Sequence, residues 1–222
     1  LQRNYQALLT GEERVAGRTA YRVELRPRRP GNPWKRLWID RETSLLLASE
    51  DYDGSGRRTR ATRVESVEFR AEPEGSVRPS SALISHAQFA RAAETEVKPP
   101  DKISLAVGFK VLKPRVLPPG YELESAYVYA CQCGCRVPAA RLQYVDGLNA
   151  ISVLECGERC RHEGVLGSRG LPQGTAVRVL AGGNTIVVVG EIVRSELEKM
   201  ARSIPGVQWP PAAVPWEPHA PK

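Results

Sequence analysis

The sequence predicts an α+β fold of two mostly antiparallel sheet units, the second closed by a C-terminal helix. Three observations predict it. Apolar and polar residues alternate with period two over most of the chain, and the alternation breaks at Gly, Asp, Asn and Pro. Successive runs are joined by turns too short for a parallel crossover, so neighbouring strands run antiparallel. A stretch rich in proline and charge, 72–104, separates two such regions. The chain therefore divides into a first sheet unit over 1–71, a linker with one short helix over 72–104, a second unit over 105–205, and a proline-rich tail over 206–222.

The elements follow in order. "YQALLTGEERV" is one strand or a bent pair. "RTAYRVELRPR" places Tyr21, Val23 and Leu25 on one face and Arg22, Glu24 and Arg26 on the other. "WKRLWID" is a strand, "RETS" a turn, and "LLLASEDY" the returning strand. "DGSG" is a strong hairpin signal leading into "RRTRATRVESVEF". In the linker, "ALISHAQFARAA" has helical character. In the second unit "VLPPGYELESAYVYA" leads into a strand, and "RLQYVDG" with "NAISVLE" forms a hairpin at Asp146-Gly147. "TAVRVLAGGNTIVVVGE" forms another at Gly182-Gly183. "RSELEKMARSI" closes as a helix with Leu197, Met200, Ala201 and Ile204 on one side.

Bulk properties narrow the function. The 222 residues are 41% hydrophobic and 26% charged, enough to build a core and too polar for a membrane span. The net charge of +7 favours an acidic partner. The densest basic patch, "GRRTRATR" with Arg57, Arg58, Arg60 and Arg63, lacks the interleaved aromatics of a single-strand nucleic-acid binder. It reads as a solvated strand face. Acidic residues alternate with arginines, which predicts a solvated sheet face and no buried acidic pair. No phosphate-cradling glycine loop or G-x-S-x-G elbow occurs. His86, His162 and His219 are scattered and fit no metalloprotease pattern. No catalytic residues are predicted, and the chain reads as a non-enzyme.

The cysteines are the one cluster with chemistry. Cys131, Cys133 and Cys135 alternate in "CQCGC", and Cys156 and Cys160 follow in "ECGERCRH". Thiolates from these five could close a tetrahedral zinc site, with His162 in reserve. The same residues could instead form two disulfides between the two groups, because C-x-C neighbours rarely bridge each other. Unlinked thiols are the third reading; all three make the cluster structural, and the sequence leaves them open.

At "NYQALLTGEERVAGRTAYRVELRPR" and "KRLWIDRETSLLLASEDYDGSG" the chain resembles the RseB/MucB family. The resemblance is carried by Asn4, Tyr5, Gly11, Val15, Ala16, Gly17 and Arg18, by Leu37, Trp38, Ile39 and Asp40, and by Asp53 and Gly54. The second unit is similar to that family's smaller C-terminal domain at "LPPGYEL", "YVDG", "ISVLE" and "VVVGE". The resemblance implies a half-barrel like those of the lipoprotein carriers LolA and LolB, here incomplete, because the family's helix and strands ahead of the "NY" strand are not in this sequence. It implies a periplasmic or cell-surface regulator that binds the extracytoplasmic part of a membrane-bound anti-sigma factor and so restrains an envelope-stress sigma factor. A lipid or lipoprotein carrier or sensor on the same half-barrel is the second expectation. The cysteine cluster is a departure from the family.

Overall fold

The computed structural model describes residues 1–69, 94–97, 99–130, 137–158 and 175–209. The expected helix "ALISHAQFARAA" and most of the proline-rich tail lie outside them. The chain separates into two units, Leu1–Arg91 and Ala92–Lys222. Each is an antiparallel sheet, and the α+β class predicted from the alternation is what forms.

The first unit is a five-stranded meander: β1 (Tyr5–Val15), β2 (Arg18–Pro27), β3 (Trp34–Asp40), β4 (Leu46–Tyr52) and β5 (Arg58–Arg63), paired in that order. β1 is a single strand, bent where its register with β2 shifts between Leu9 and Gly11. Gly11 takes φ 142°, a backbone region that glycine enters without strain. Arg22 clamps the bend by donating to the Thr10 hydroxyl and carbonyl at 3.0 and 3.1 Å.

Three of the hairpins share one device. Asp40, Asp53 and Asp146 each open a turn with a carboxylate that accepts backbone N–H groups two to four residues on. Asp40 accepts from Glu42 and Thr43, Asp53 from Ser55 and Arg57, and Asp146 from Leu148 and Asn149, all between 2.7 and 3.0 Å. The β1–β2 turn uses Ala16 and Gly17, both at positive φ, which matches the twist of a two-residue hairpin. Gly54 packs so closely on the 28–33 loop that a Cβ there would sit 1.9 Å from the Gly31 carbonyl oxygen.

The sheet curls toward one face. Val15 of β1, Ala20 of β2, Trp38 of β3 and Leu47 and Ala48 of β4 join one small core, covered in part by Val67. Arg63 of β5 reaches across the same face to the Arg14 carbonyl of β1 at 3.2 Å. Strands at opposite edges of a flat five-stranded sheet would stand about 19 Å apart, so this contact requires strong coiling.

The second unit is a seven-stranded sheet in the order β12-β10-β11-β9-β8-β7-β6. Its strands are β6 (Glu94–Glu96), β7 (Glu122–Ala130), β8 (Pro138–Val145), β9 (Ala150–Cys156), β10 (Thr175–Ala181), β11 (Asn184–Gly190) and β12 (Val207–Gln208). Two places depart from the expected division. Glu94–Glu96, read as linker, pairs with β7, and Val207–Gln208, read as tail, pairs with β10. Both segments are short and lack an alternating run, so only tertiary pairing makes them strands.

One sheet face packs on α1 (Ile103–Val107) and α2 (Arg194–Arg202) to form the core. Leu197, Met200, Ala201 and Ile204 all point into it, as the helical spacing predicts. Ser203 ends α2 and holds the 115–116 segment by accepting the N–H groups of Arg115 and Val116 at 3.1 and 3.0 Å.

Candidate functional site

Pairing in the first unit sorts side chains onto two faces with different chemistry. Ala20, Arg22, Glu24 and Arg26 of β2 share the curled-in face with Trp34, Arg36, Trp38 and Asp40 of β3, because directly paired residues point the same way. Glu50 and Tyr52 of β4 join them. The sequence reading made this the solvated face. The structure corrects it: Glu24 is 8% exposed and Asp40 2%. The curl brings opposite charges close enough to pair, and paired charges tolerate burial where lone ones do not.

The pairs form a lattice. Glu24 takes Arg26 at 2.7 Å and Arg36 at 2.8 Å. Arg36 continues to Glu50 at 3.1 Å and to the Tyr52 hydroxyl at 2.9 Å, and Arg58 of β5 closes on Glu50 at 2.7 Å. The Arg26 guanidinium lies 3.4 Å from the Trp34 ring centroid, and Trp34 stacks on Tyr52 at 3.7 Å. Trp38 donates its indole N–H to Glu13 of β1 at 2.8 Å. Arg18 grips Asp40 from the neighbouring strand, and also donates to Glu42 at 2.8 Å.

This lattice sets the titration of its carboxyls. The Arg18 hydrogen bond, backed by the turn N–H groups, holds Asp40 well below the usual carboxylate range. Burial pushes Glu24 and Glu50 upward. Hydrogen bonds from Arg26 and Arg36 to Glu24, and from Tyr52 and Arg58 to Glu50, outweigh it and leave both below the ordinary value. These groups stay ionised and paired, so they act as a frame and not as acid–base machinery.

The other face is apolar at its centre. Leu9, Val23 and Leu37 align across β1, β2 and β3, with Tyr21, Ile39 and Leu46 in the next rows. Leu9 is 66% exposed and Leu46 53%.

β5 ends the sheet. All six of its residues are exposed, and among the described residues no strand pairs with its outer side. Val64 N–H donates inward to the Leu47 carbonyl at 2.8 Å. By strand alternation the N–H groups of Ala61 and Arg63 therefore point outward. Arg58, Arg60 and Arg63 each lean on a sheet carboxylate, Glu50, Asp51 and Glu13 respectively, while staying half open to solvent. Among the described residues this is an edge that no further strand pairs, with outward-pointing backbone and a basic rim.

Of the five cysteines, Cys156 falls within the described residues; Cys131, Cys133, Cys135 and Cys160 lie outside them. So do His86, His162 and His219. Cys156 is buried at the end of β9 against Ala139 and Tyr129, with the Tyr129 hydroxyl 3.9 Å from its sulfur. Among the described residues no three His, Cys, Asp or Glu side chains gather as a metal site, and no helix is long and apolar enough to cross a membrane.

Sequence reasoning missed Glu155. It lies 1% exposed in the second unit's core. It accepts the Leu112 backbone N–H at 2.9 Å and the Asn184 side-chain amide at 2.7 Å. Burial pushes its carboxyl upward, partly offset by those two bonds. A glutamate closing the run "ISVLE" was the available signal, because it falls on the inward parity with Ile151 and Val153.

Comparison with known proteins returns a consistent set. Residues 1–85 match the MucB/RseB N-terminal domain. Sigma factor AlgU regulatory protein MucB of Pseudomonas aeruginosa is 29% identical over 208 residues, covering 90% of this chain and 60% of that protein. This chain thus spans about 60% of the length of that curated relative. The crystal structure of MucB in complex with MucA(peri) superposes with a TM-score of 0.62 at 23% identity, covering 92% of this chain and 68% of that one. The Pseudomonas aeruginosa MucA/MucB complex gives 0.61 at 25% identity, covering 92% and 66%.

Proposed function

We propose that this chain, which belongs to the MucB/RseB family, is a non-enzymatic extracytoplasmic regulator that binds the extracytoplasmic segment of a membrane-bound anti-sigma factor. The solved relatives support it, since two of them are complexes of MucB with MucA. The observation in this chain that carries the reading is the β5 edge. An extended partner segment can add to it as a sixth strand, with main-chain hydrogen bonds giving affinity and side chains giving selectivity. The rim of Arg58, Arg60 and Arg63 suits an acidic segment and speeds encounter.

The curled-in face argues against the carrier reading. An acyl chain wants an apolar concave surface, and here the concave face holds the Glu24–Arg36–Glu50 lattice. Of the exposed apolar residues, Leu9 and Leu46 sit on the opposite side, and Leu8, paired with Glu24, is the one strand residue among them that shares the lattice face.

The test is titration of this chain with the extracytoplasmic segment of an anti-sigma factor from the same genome, over a salt series. Binding should weaken as salt rises. Ala61→Pro removes an outward N–H and leaves the inward pairing of β5 in place, so it should weaken binding about tenfold or more without lowering Tm much. Reversal of Arg58, Arg60 and Arg63 to Glu should weaken it further. Unchanged, salt-insensitive binding by both variants would reject the β5 edge as the contact.

A further inference from the structure

The meander of the first unit sorts charge to the two ends of its sheet. At one end β1, β3 and β5 begin and β2 and β4 finish. The segments gathered there are 1–4, 26–33 and 52–58. They hold six arginines, Arg3, Arg26, Arg28, Arg29, Arg57 and Arg58, and one acid, Asp53. The segments at the other end, 12–18, 40–46 and 63–68, hold four arginines and six acids. The first sheet is therefore electrically polarised along its strands. The six arginines lie in three separate stretches of sequence, and only the pairing shows that they share a pole.

The pole is one continuous surface. Gly54 packs on the Gly31 carbonyl, which seats the 53–57 turn on the 28–33 loop. Arg28 donates its backbone N–H to the Asn4 carbonyl at 2.8 Å and its guanidinium to the Gln2 carbonyl at 3.2 Å, which ties 1–4 to the same loop. Arg3, Arg28 and Arg29 are exposed, and the Arg57 side chain is 80% exposed. Arg26 and Arg58 lean on Glu24 and Glu50 and stay half open to solvent.

Two features choose the partner. The backbone of the turns at this pole is engaged internally. Asp53 N–H donates to the Arg57 carbonyl at 3.0 Å and Gly56 N–H to the Asp53 carbonyl at 2.9 Å, while the Asp53 carboxylate takes the Ser55 and Arg57 N–H groups. These groups offer no ladder to an added peptide strand, in contrast to β5. The arginines also stand on three segments across the pole and not around one point. That arrangement matches many spaced negative charges better than a single anion. A plane of anionic headgroups supplies such charge, and each arginine brought close to it strengthens docking about fivefold.

We propose that this arginine pole docks the first unit on an anionic phospholipid bilayer surface. The attraction acts between exposed charges, so added salt screens it. The proposal does not rest on the β5 edge, because Arg3, Arg28, Arg29 and Arg57 lie outside that strand. β5 begins at this pole, so a docked sheet stands with its open edge running away from the bilayer.

The experiment sediments the full chain with vesicles of phosphatidylcholine containing about one-third phosphatidylglycerol, and with vesicles of phosphatidylcholine alone. The chain should bind the first and not the second. Binding should fall about tenfold or more as salt rises from about 0.05 M to about 0.5 M. Arg28→Glu with Arg29→Glu should weaken binding about tenfold or more. Arg14→Glu with Arg41→Glu makes the same change in net charge at the opposite end and should weaken it about threefold at most. Arg28→Gln with Arg29→Gln, a milder pair should the reversal fail to fold, should fall between the parent and the reversal. Equal losses from the two Glu pairs would overturn the proposal, because net charge and not position would then be the cause. So would equal binding to both vesicle types, or unchanged binding by both 28/29 variants. Displacement by glycerol 3-phosphate at matched ionic strength would overturn it in favour of a site for one phosphate.

Discussion

At the scale of single residues, the informative side chains are the buried acids, and the two units treat theirs in opposite ways. Asp40 and Glu24 are ionised and paired, whereas Glu155 is held by two neutral donors. Replacing Glu155 by Ala strands the Leu112 N–H and the Asn184 amide in the core. The expected loss is about 1–3 kcal/mol, read by chemical denaturation. Glu155→Gln keeps an acceptor and should cost less. It should also remove a pH slope. The folded Glu155 carboxyl titrates above its unfolded value, so its proton favours the folded state. Its contribution is greatest below the ordinary glutamate range, and it is lost as pH rises through the folded value. The parent should show this slope and Glu155→Gln should not.

At the scale of elements, the turns were the most legible. "IDRETS", "YDGSG" and "VDGLN" each announce a hairpin because the aspartate is itself the turn's acceptor, a strictly local interaction. The closing helix was legible for the same reason, since its four inward residues follow one period. Leu197→Ala should therefore cost about 2–5 kcal/mol, measured as a fall in the denaturation midpoint, because its side chain is fully buried under β10 and β11. What escaped the sequence is whatever depends on curvature or partners. Alternation placed Arg22, Glu24 and Arg26 on one face correctly, but only the coil of the sheet decides that this face is enclosed. Strands β6 and β12 are too short to carry a pattern. β5 was visible as the solvated strand "RRTRATR", yet its place at the sheet edge and its outward backbone could be assigned only once the pairing was known and Val64 was seen to pair inward.

At the scale of the whole molecule, the two units should part company in acid. Asp40, Glu24, Glu50 and Asp53 all titrate below their ordinary values in the fold. The stability they lend the first unit is present above about pH 4 and is lost as pH falls through their lower folded values. Glu155 moves the second unit the other way. Timed pepsin digestion between about pH 4 and pH 2 should release peptides from 1–69 before peptides from 137–158 and 175–209. The reverse order would show that the arginine lattice is not what anchors the first sheet. The same lattice bears on the proposed function, because its Glu50 orients Arg58 on the rim of the β5 edge.

The contact between Gly54 and the Gly31 carbonyl extends this to ancestry. Two loops at different hairpins meet there, so Gly54 cannot gain a side chain unless the 28–33 loop gives way, whereas Gly31 is restricted by its positive φ and not by space. A lineage that replaces Gly54 would have to inherit a compensating change in the 28–33 loop. Paired variation at these two loops would then mark descent with an intact first sheet, and an unpaired replacement would mark a copy that had begun to decay.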